Sequence, residues 1–368
     1  MHDGIERDYI LYVPVNYTGA ASVPLVFNFH GYGSNANDQM WYGDFRSIAD
    51  TTGFLIVHPQ GTLLNGITHW NVGGWTIGST ADDVGFTDAL IDSISSKYSI
   101  DSMRIYSTGM SNGGFMSFLL ACQLSEKIAA IASVTGSMTP ETFNNSNPQH
   151  PTPILQIHGT SDGVVPYNGA SWTKSIDNVI QYWVGYNNCH TTPAITALPD
   201  IVVTDGSTVE HIVYDGGDND VTVEHFKVTG GGHTWPGTIF GGAGSNYDIN
   251  ASVEIWKFFS RYDINGLIRT TGIEPWSEND SVHFELAQNY PNPFNPTTAI
   301  KYSINSAQHV KINVYNIKGQ LVSELVNNNM AAGIYTVHFD AGHLTSGVYF
   351  YKITAGAFSQ MRKMMVIK

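Results

Sequence analysis

A serine between two glycines is the segment of this chain best suited to covalent chemistry. Residues 109–113 read GMSNG and match the pattern G-x-S-x-G, with Ser111 at the centre. An apolar run, residues 104–107, leads directly into this segment, and a helical pattern follows it. A strand, a tight turn and a helix in this order present a serine hydroxyl as a nucleophile. The alternative is an ordinary Gly-Ser turn between a strand and a helix.

A serine nucleophile needs a base to take its proton and an acid to orient that base. In open parallel sheets with such a serine, the acid and then the histidine follow it along the chain. Asp162 comes just after the apolar run 154–157, and His233 lies in the glycine-rich segment 230–237. We therefore predict a triad of Ser111, Asp162 and His233, while an Asx-turn aspartate and a structural histidine are the alternatives. Weaker candidates after the serine are Asp177, Asp200, Asp205, His190, His211 and His225.

Acyl transfer to a serine also requires two backbone N–H groups that stabilise the oxyanion. One predicted donor is Asn112, the residue after the nucleophile. The other should come from the loop after an early strand, where His30, Gly31 and Tyr32 follow an apolar run. The sequence leaves the choice between Gly31 and Tyr32 open, and a simple glycine turn is the alternative for this loop.

Several aromatic residues lie close to these segments along the chain. We predict Trp235, Trp70, Trp75 and His30 as substrate-binding residues, with core packing as the alternative for each ring. Neighbouring Asp82 and Asp83 are interpreted as the start of a helix, since no dense cluster of metal ligands accompanies them. No metal and no cofactor are predicted.

The elements around these residues alternate between strands and helices. Apolar runs predict strands at 9–13, 25–29, 54–57, 104–107 and 154–157. Helical patterns begin near residue 83 and cover about 113–124, 171–186 and 251–259. This alternation predicts an α/β fold, a doubly wound and mostly parallel sheet.

The pattern changes near residue 264. We predict a catalytic domain at 1–263, a polar linker at 264–282 and a second domain at 283–368. Alternating residues such as Val310, Ile312 and Val314 predict a small antiparallel β-sandwich in the second domain. Charge changes at the same place, from a balance of −16 before residue 264 to +2 after it.

Composition excludes some classes of function. The formal net charge of −14 disfavours nucleic acid as a partner. We find no apolar stretch of the length that a membrane helix needs, about 18 residues. The first residues show no basic segment followed by an apolar one, as a signal peptide would. The two cysteines, Cys122 and Cys189, leave a disulfide open.

The first 260 or so residues resemble the secreted esterases of the polyhydroxybutyrate depolymerase-like and feruloyl esterase-like group. The matching segments, in chain order, are 7–14 (RDYILYVP), 29–33 (FHGYG), 69–74 (HWNVGG), 82–86 (DDVGF), 109–116 (GMSNGGFM), 158–162 (HGTSD), 165–167 (VPY) and 230–237 (GGGHTWPG). This resemblance implies an α/β-hydrolase fold, hydrolysis of carboxylic esters, and a triad at Ser111, Asp162 and His233. Members of the group often carry further cysteines, which this chain lacks.

Residues 283–368 resemble the C-terminal sorting domain of the type IX secretion system. The matching segments are 284–296 (FELAQNYPNPFNP), 314–319 (VYNIKG), 347–352 (GVYFYK) and 363–368 (KMMVIK). The resemblance implies contact with the secretion machinery, a secreted or cell-surface location, a signal peptide absent from this sequence, and removal of the domain after export. A carbohydrate-binding module is the alternative for this region.

Taken together, the residues predict a serine esterase that forms an acyl-enzyme. Expected substrates are feruloyl or acetyl esters of plant cell-wall polysaccharide, a polyhydroxyalkanoate or another polyester. The rival hypothesis is a non-catalytic surface protein that binds carbohydrate or polymer on a hydrolase scaffold. An intact set of Ser111, Asp162 and His233 argues against that rival.

Overall fold

The computed structural model of the chain describes residues 1–268, 285–289, 291–304, 306–331, 333–356 and 358–367. The chain divides into two compact units, Met1–Ile268 and Arg269–Lys368. Within the described residues, no helix is both long and apolar enough to cross a membrane.

The first unit is built on a nine-stranded sheet with the order β1-β3-β2-β6-β7-β8-β11-β10-β9. Its strands are β1 (Tyr9–Tyr12), β2 (Val23–Phe29), β3 (Leu55–Pro59), β6 (Ile100–Met110), β7 (Ala130–Val134), β8 (Ile154–Gly159), β9 (Ala194–Ala197), β10 (Thr208–Tyr214) and β11 (Val223–Thr229). The six central strands, from β3 to β11, are parallel, while β1, β10 and β9 pair antiparallel at the two edges. The predicted α/β fold is confirmed.

Seven α-helices belong to this unit as described. They are α1 (Ala36–Tyr42), α2 (Arg46–Thr52), α3 (Asp83–Ser95), α4 (Asn112–Gln123), α5 (Pro140–Asn144), α6 (Ile176–Tyr186) and α7 (Ala251–Phe259). Helices α3, α4 and α6 contribute to one hydrophobic core, and α2 and α7 contribute to the other. Strand β2 divides its side chains between them, with Leu25, Phe27 and Phe29 in the first core and Val26 in the second. Both faces of the sheet are therefore covered, as a parallel sheet requires.

Two small hairpins complete the first unit. One joins β4 (Thr62–Leu64) to β5 (Ile67–His69), and the other joins β12 (Tyr262–Asp263) to β13 (Gly266–Leu267). The second hairpin crosses the predicted boundary, with β12 in the predicted catalytic domain and β13 in the region predicted as a linker. The rest of that predicted linker, residues 269–282, lies outside the described residues.

The second unit consists of two antiparallel sheets, ordered β14-β15-β18 and β17-β16-β19-β20. The strands are β14 (Glu285–Leu286), β15 (Thr297–Ile304), β16 (Gln308–Asn316), β17 (Leu321–Met330), β18 (Gly333–Asp340), β19 (Gly347–Ala355) and β20 (Phe358–Val366). Residues of both sheets, such as Ile300 and Ile312, share one hydrophobic core. This arrangement is the small β-sandwich that the alternating pattern predicts.

Candidate active site

Ser111 occupies a sharp turn between β6, which ends at Met110, and α4, which begins at Asn112. Its φ of 55° and ψ of −116° are unusual for a residue with a side chain. The turn needs glycine at its flanks, because a Cβ on Gly113 would collide with the carbonyl oxygen of Phe29. The backbone N–H of Ser111 donates to the Val134 carbonyl oxygen at 2.9 Å, which fixes the turn on the neighbouring strand β7.

His233 and Asp162 are joined by a short hydrogen bond. His233 Nδ1 lies 2.7 Å from Asp162 Oδ2. A carboxylate only accepts, so Nδ1 donates this hydrogen bond, and Nε2 is the ring nitrogen left for a second partner. Among the described residues, Ser111 Oγ makes no hydrogen bond, and Ser111 and His233 line the same cleft.

Asp162 is held by its own loop. Oδ1 accepts from the N–H groups of Val164 and Val165 at 2.8 and 2.9 Å. Burial by itself raises the pKa of Asp162, but the hydrogen bond and charge of His233, the Val165 N–H and nearby His158 outweigh burial. The pKa therefore lies below the ordinary value for aspartate, and the side chain is a carboxylate.

The buried His158 ring contacts the Asp162 loop and holds it in place. Its Nε2 donates to the Val165 carbonyl oxygen at 2.9 Å and lies 3.4 Å from Asp162 Oδ2. Its Nδ1 accepts from the amide of Gln156 at 3.0 Å. Burial lowers the pKa of His158 to about 4, so the ring stays neutral and keeps this donor pattern.

The loop that carries Gly31 and Tyr32 is fixed by the buried His30 ring. Its Nδ1 donates to the Gly31 carbonyl oxygen at 2.7 Å, and its Nε2 accepts from the Gly61 N–H at 2.9 Å. The Ser34 N–H donates to the same Gly31 oxygen at 3.1 Å. In a planar trans peptide the Tyr32 N–H points away from that oxygen. Among the described residues, this N–H has no hydrogen-bond partner.

Asn112 ties the serine turn to a second buried segment. Its side-chain oxygen accepts from the Trp70 N–H at 2.7 Å, and its amide donates to the Trp70 carbonyl oxygen at 3.1 Å. The Trp70 indole donates to the His30 carbonyl oxygen at 2.9 Å. Both polar atoms of the Asn112 side chain are thus hydrogen-bonded to the Trp70 backbone. The backbone N–H of Asn112 lies at the first position of α4, where no helical partner exists.

Two open clefts meet at Ser111. The larger, about 610 Å³, is lined by Gly31, Tyr32, Ser34, Asp38, Gln39, Trp41, Tyr42, Met110, Ser111, His233 and Phe240. The smaller, about 450 Å³, is lined by Tyr32, Trp75, Ser111, Phe115, Val164, Val165 and Trp172. Both volumes fall in the range typical of small-molecule sites, about 300–1,000 Å³.

Three of the four predicted substrate-binding side chains do not reach these clefts. Trp70, Trp235 and His30 are 0%, 1% and 0% exposed and have no surface with which to contact a substrate. Trp70 packs edge-on against Phe29, and the Trp235 indole donates to Ser252. The predicted substrate-binding role of these three residues is therefore wrong, and they are structural residues beneath the site. Trp75 lines the smaller cleft, as its predicted role requires.

The sequence interpretation missed Phe115, Trp172, Phe240 and the supporting role of His158. Phe115 lies on α4, one turn after Ser111, so its spacing from the serine was an available signal. Trp172 comes from the segment after the Asp162 loop and Phe240 from the segment after His233. No local pattern distinguishes these two from core aromatics.

Asp82 and Asp83 serve the first unit structurally. Asp82 accepts from the Gly85 N–H at 2.8 Å at the start of α3, and Asp83 forms a buried ion pair with Arg7 at 2.6 Å. Within the described residues, Asp82 also lies at the surface with His2 and Asp3, close enough to share a cation. Cys122 and Cys189 are both buried and free.

Two family models match the chain. Residues 79–190 match the phospholipase/carboxylesterase family, and residues 288–368 match the secretion system C-terminal sorting domain. The second match supports a secreted or cell-surface location.

Similar curated proteins include the bifunctional acetylxylan esterase/xylanase XynS20E of Neocallimastix patriciarum, 27% identical over 270 residues, which are 73% of this chain and 35% of that protein. Feruloyl esterase B of Piromyces equi is 31% identical over 238 residues, or 62% of this chain and 42% of that protein. The chain thus spans well under half the length of these two relatives.

Among solved structures, the acetyl xylan esterase from Aspergillus awamori aligns with a TM-score of 0.49 and 17% identity, covering 68% of this chain and 93% of that one. The curated relatives and the phospholipase/carboxylesterase model both point to esterases for the first unit. The chain is therefore similar to carboxylesterases and feruloyl esterases within its first unit, and to the secretion system C-terminal sorting domain over residues 288–368.

Proposed function

We propose that the first unit is a carboxylic ester hydrolase that works through an acyl-enzyme on Ser111. The observation that carries this proposal is the 2.7 Å hydrogen bond between His233 and Asp162 beside a cleft that exposes the serine turn. The proposed catalytic residues are Ser111 as nucleophile, His233 as base and Asp162 as orienting acid.

In the first step, His233 Nε2 takes the proton of Ser111 Oγ, which attacks the ester carbonyl carbon. The resulting oxyanion accepts from the N–H groups of Asn112 and Tyr32. We choose Tyr32 over Gly31 because the Gly31 carbonyl oxygen is held by His30 and Ser34, which fixes the Tyr32 N–H on the opposite side of the peptide. Collapse of the intermediate expels the alcohol, which takes its proton from His233.

In the second step, His233 removes a proton from water, and the hydroxide attacks the acyl carbon. The oxyanion is held as before, and the acid leaves when Ser111 Oγ recovers its proton from His233. The Asp162 carboxylate stabilises the imidazolium that forms in each step without itself taking up the proton.

The proposed substrates are feruloyl or acetyl esters of plant cell-wall polysaccharide, which the names of the relatives support. Polyhydroxyalkanoate or another polyester is the second candidate, favoured by the aromatic and apolar lining of the smaller cleft. The C-terminal unit is proposed to deliver the enzyme through the type IX secretion machinery.

The test compares Ser111→Ala with the matched control Ser161→Ala, an exposed serine in the Asp162 loop. On p-nitrophenyl acetate, Ser111→Ala should lower kcat by about 10⁴- to 10⁶-fold with unchanged circular dichroism, while the control stays near the wild type. Near wild-type turnover in Ser111→Ala would reject the assignment. Polymer binding by a chain that hydrolyses no ester would instead favour the non-catalytic binding protein.

A further inference from the structure

His233 lies in a glycine-rich loop, residues 230–237, which we call the base loop. The three residues 230–232 before the histidine are glycines and bring no side chains that could anchor it. A small cavity lies behind the loop and is lined in part by these glycines. The buried ring of Trp235 anchors the later half of the loop. The backbone up to His233 is therefore held by contacts with other segments.

One carbonyl oxygen holds the backbone on both sides of His233. The Gly244 oxygen accepts from the Gly232 N–H at 2.8 Å and from the Thr234 hydroxyl at 3.2 Å. These two donors belong to the residues that flank the histidine. The position of the Gly244 oxygen therefore fixes the backbone from which the imidazole ring projects towards Asp162.

The side chain of Asn246 fixes the segment that carries Gly244. Asn246 is 0% exposed, and both polar atoms of its side chain are hydrogen-bonded. Its amide donates to Ser207 Oγ at 2.9 Å and to Asp248 Oδ2 at 3.0 Å, and its Oδ1 accepts from the Asp248 N–H at 3.1 Å. Its backbone oxygen also accepts from the Gly237 N–H at 2.9 Å. Asn246 thus contacts the base loop directly and sets the turn beside it.

Asp248 connects Asn246 to a loop outside the proposed site. Its Oδ1 accepts from the N–H groups of Ile201 and Val202 at 2.7 and 3.0 Å. Among the residues that the structure describes, neither Asn246 nor Asp248 lines a cleft at Ser111. These two side chains therefore act on the base loop without a surface for substrate.

Resting on the function proposed above, we infer that Asn246 is a positioning residue for the base His233. It acts through Gly244, whose carbonyl oxygen holds the base loop. Proton transfer requires His233 Nε2 to lie within about 2.6–3.2 Å of the reacting oxygen. A displacement of about 1 Å in such a geometry costs on the order of 100-fold in rate. Because Asn246 is fully buried, its loss should lower kcat and leave KM nearly unchanged.

The test replaces the buried amide by a carboxyl group of the same size, in Asn246→Asp. The amide nitrogen lies 3.0 Å from Asp248 Oδ2, so an ionised carboxyl group at this place repels the Asp248 carboxylate. We expect kcat on p-nitrophenyl acetate to fall about 100-fold at alkaline pH, with KM within about threefold of the wild type. A protonated carboxyl group can still donate to Asp248, so the ratio of variant to wild-type kcat should rise as the pH falls.

A double variant supplies the rescue. Asn246→Asp combined with Asp248→Asn again places one amide opposite one carboxylate, and it should recover most of the lost kcat. The matched control is Asn187→Asp. Asn187 is also 0% exposed, and its side chain bonds the N–H and carbonyl oxygen of Thr152 at 2.9 and 2.7 Å, before the start of β8 and away from the proposed triad. This control should lose stability but keep its kcat. Circular dichroism and thermal melting establish that each variant is folded.

A second pair of variants tests the same link if Asn246→Asp does not fold. In Gly244→Ala, the added Cβ would lie 3.1 Å from the Cα and N atoms of Gly232 and push the base loop aside. We expect kcat to fall by at least about tenfold. Gly242→Ala is the control in the same loop, since no atom of the described residues lies within 4 Å of its added Cβ. Its kcat should stay within about twofold of the wild type.

Three results would overturn the positioning role. They are wild-type kcat in folded Asn246→Asp, or in Gly244→Ala where the first variant does not fold; an equal loss of kcat in the folded control Asn187→Asp; and a loss confined to KM. Full turnover in Ser111→Ala is a different result, since it rejects the proposed function itself.

Discussion

The two units of this chain bury polar groups in different ways. The first unit buries five histidines, His30, His58, His69, His158 and His225, each at most 2% exposed, together with the carboxyl group of Asp162. In the described part of the second unit, the buried polar residues are Asn289 and Thr298, which hydrogen-bond to each other. Burying a polar group costs free energy unless a partner satisfies it.

The location of the buried groups explains this difference. His30 fixes the loop beside the serine turn, and His158 fixes the loop of Asp162. In the second unit, alternating strands already specify the sandwich, and a single polar pair suffices. Two of the buried histidines of the first unit therefore hold loops of the proposed site.

The largest effect that tests this contrast is expected at Asp162. Asp162→Asn should lower kcat by about 10⁴-fold, because an amide at this place favours the wrong tautomer of His233. The matched control is Asp340→Asn in the second unit, where Asp340 accepts from the Gly342 N–H at 2.7 Å. Steady-state kinetics on a soluble ester should show no change for the control. A loss below about tenfold at Asp162 would deny it the orienting role.

An intermediate effect is expected on stability in acid. Burial lowers the pKa of His30 and His158 to about 4 and that of His58 and His225 to about 3. Unfolded histidines bind protons near pH 6.5, so between pH 6.5 and about 4 the unfolded state holds more protons. Stability of the first unit should therefore fall as the pH drops through this window.

The fall can be measured in the full chain. Seven of the eight tryptophans precede residue 269, so their fluorescence reports on the first unit. We expect Tm to drop by more than about 5 °C from pH 7.5 to pH 4.5, since one pKa unit corresponds to about 1.4 kcal/mol. Replacing exposed His309 by Gln should leave the profile unchanged. An equal Tm at both pH values would contradict the burial of neutral histidines.

The smallest effect is expected from removal of the second unit. A chain that ends at Ile268 retains both hydrophobic cores of the first unit and all the residues of the proposed triad. Its kcat and KM on a soluble ester should match those of the full chain within about twofold. Weaker binding to an insoluble polymer with unchanged ester kinetics would indicate that the second unit is a binding module. If the shortened chain did not fold, the first unit would have to extend beyond Ile268.

Sequence patterns predicted the elements well and the side-chain directions poorly. The apolar runs at β2, β6 and β8 located the strand ends, and glycines around Ser111 and His233 marked the turns that follow. Strand ends in a parallel sheet converge, so the proposed triad could be chosen without knowing the packing.

The orientation of the aromatic side chains could not be predicted from the sequence pattern. Trp70 and Trp75 are five residues apart, yet one is fully buried and the other lines a cleft. Trp235 is two residues from His233 but packs against Phe45 in the second core. Whether a ring faces the core or a cleft depends on neighbours from distant segments, which a local pattern does not contain.

Tyr32 has two proposed roles, one for its backbone and one for its side chain, and a substitution changes only the side chain. In the proposed mechanism its backbone N–H holds the oxyanion, while its ring forms a wall of both clefts. Every amino acid except proline retains that N–H. Substitution of Tyr32 by any residue except proline should therefore alter the walls of the clefts and still leave the proposed N–H donor in the chain, whereas proline should remove that donor.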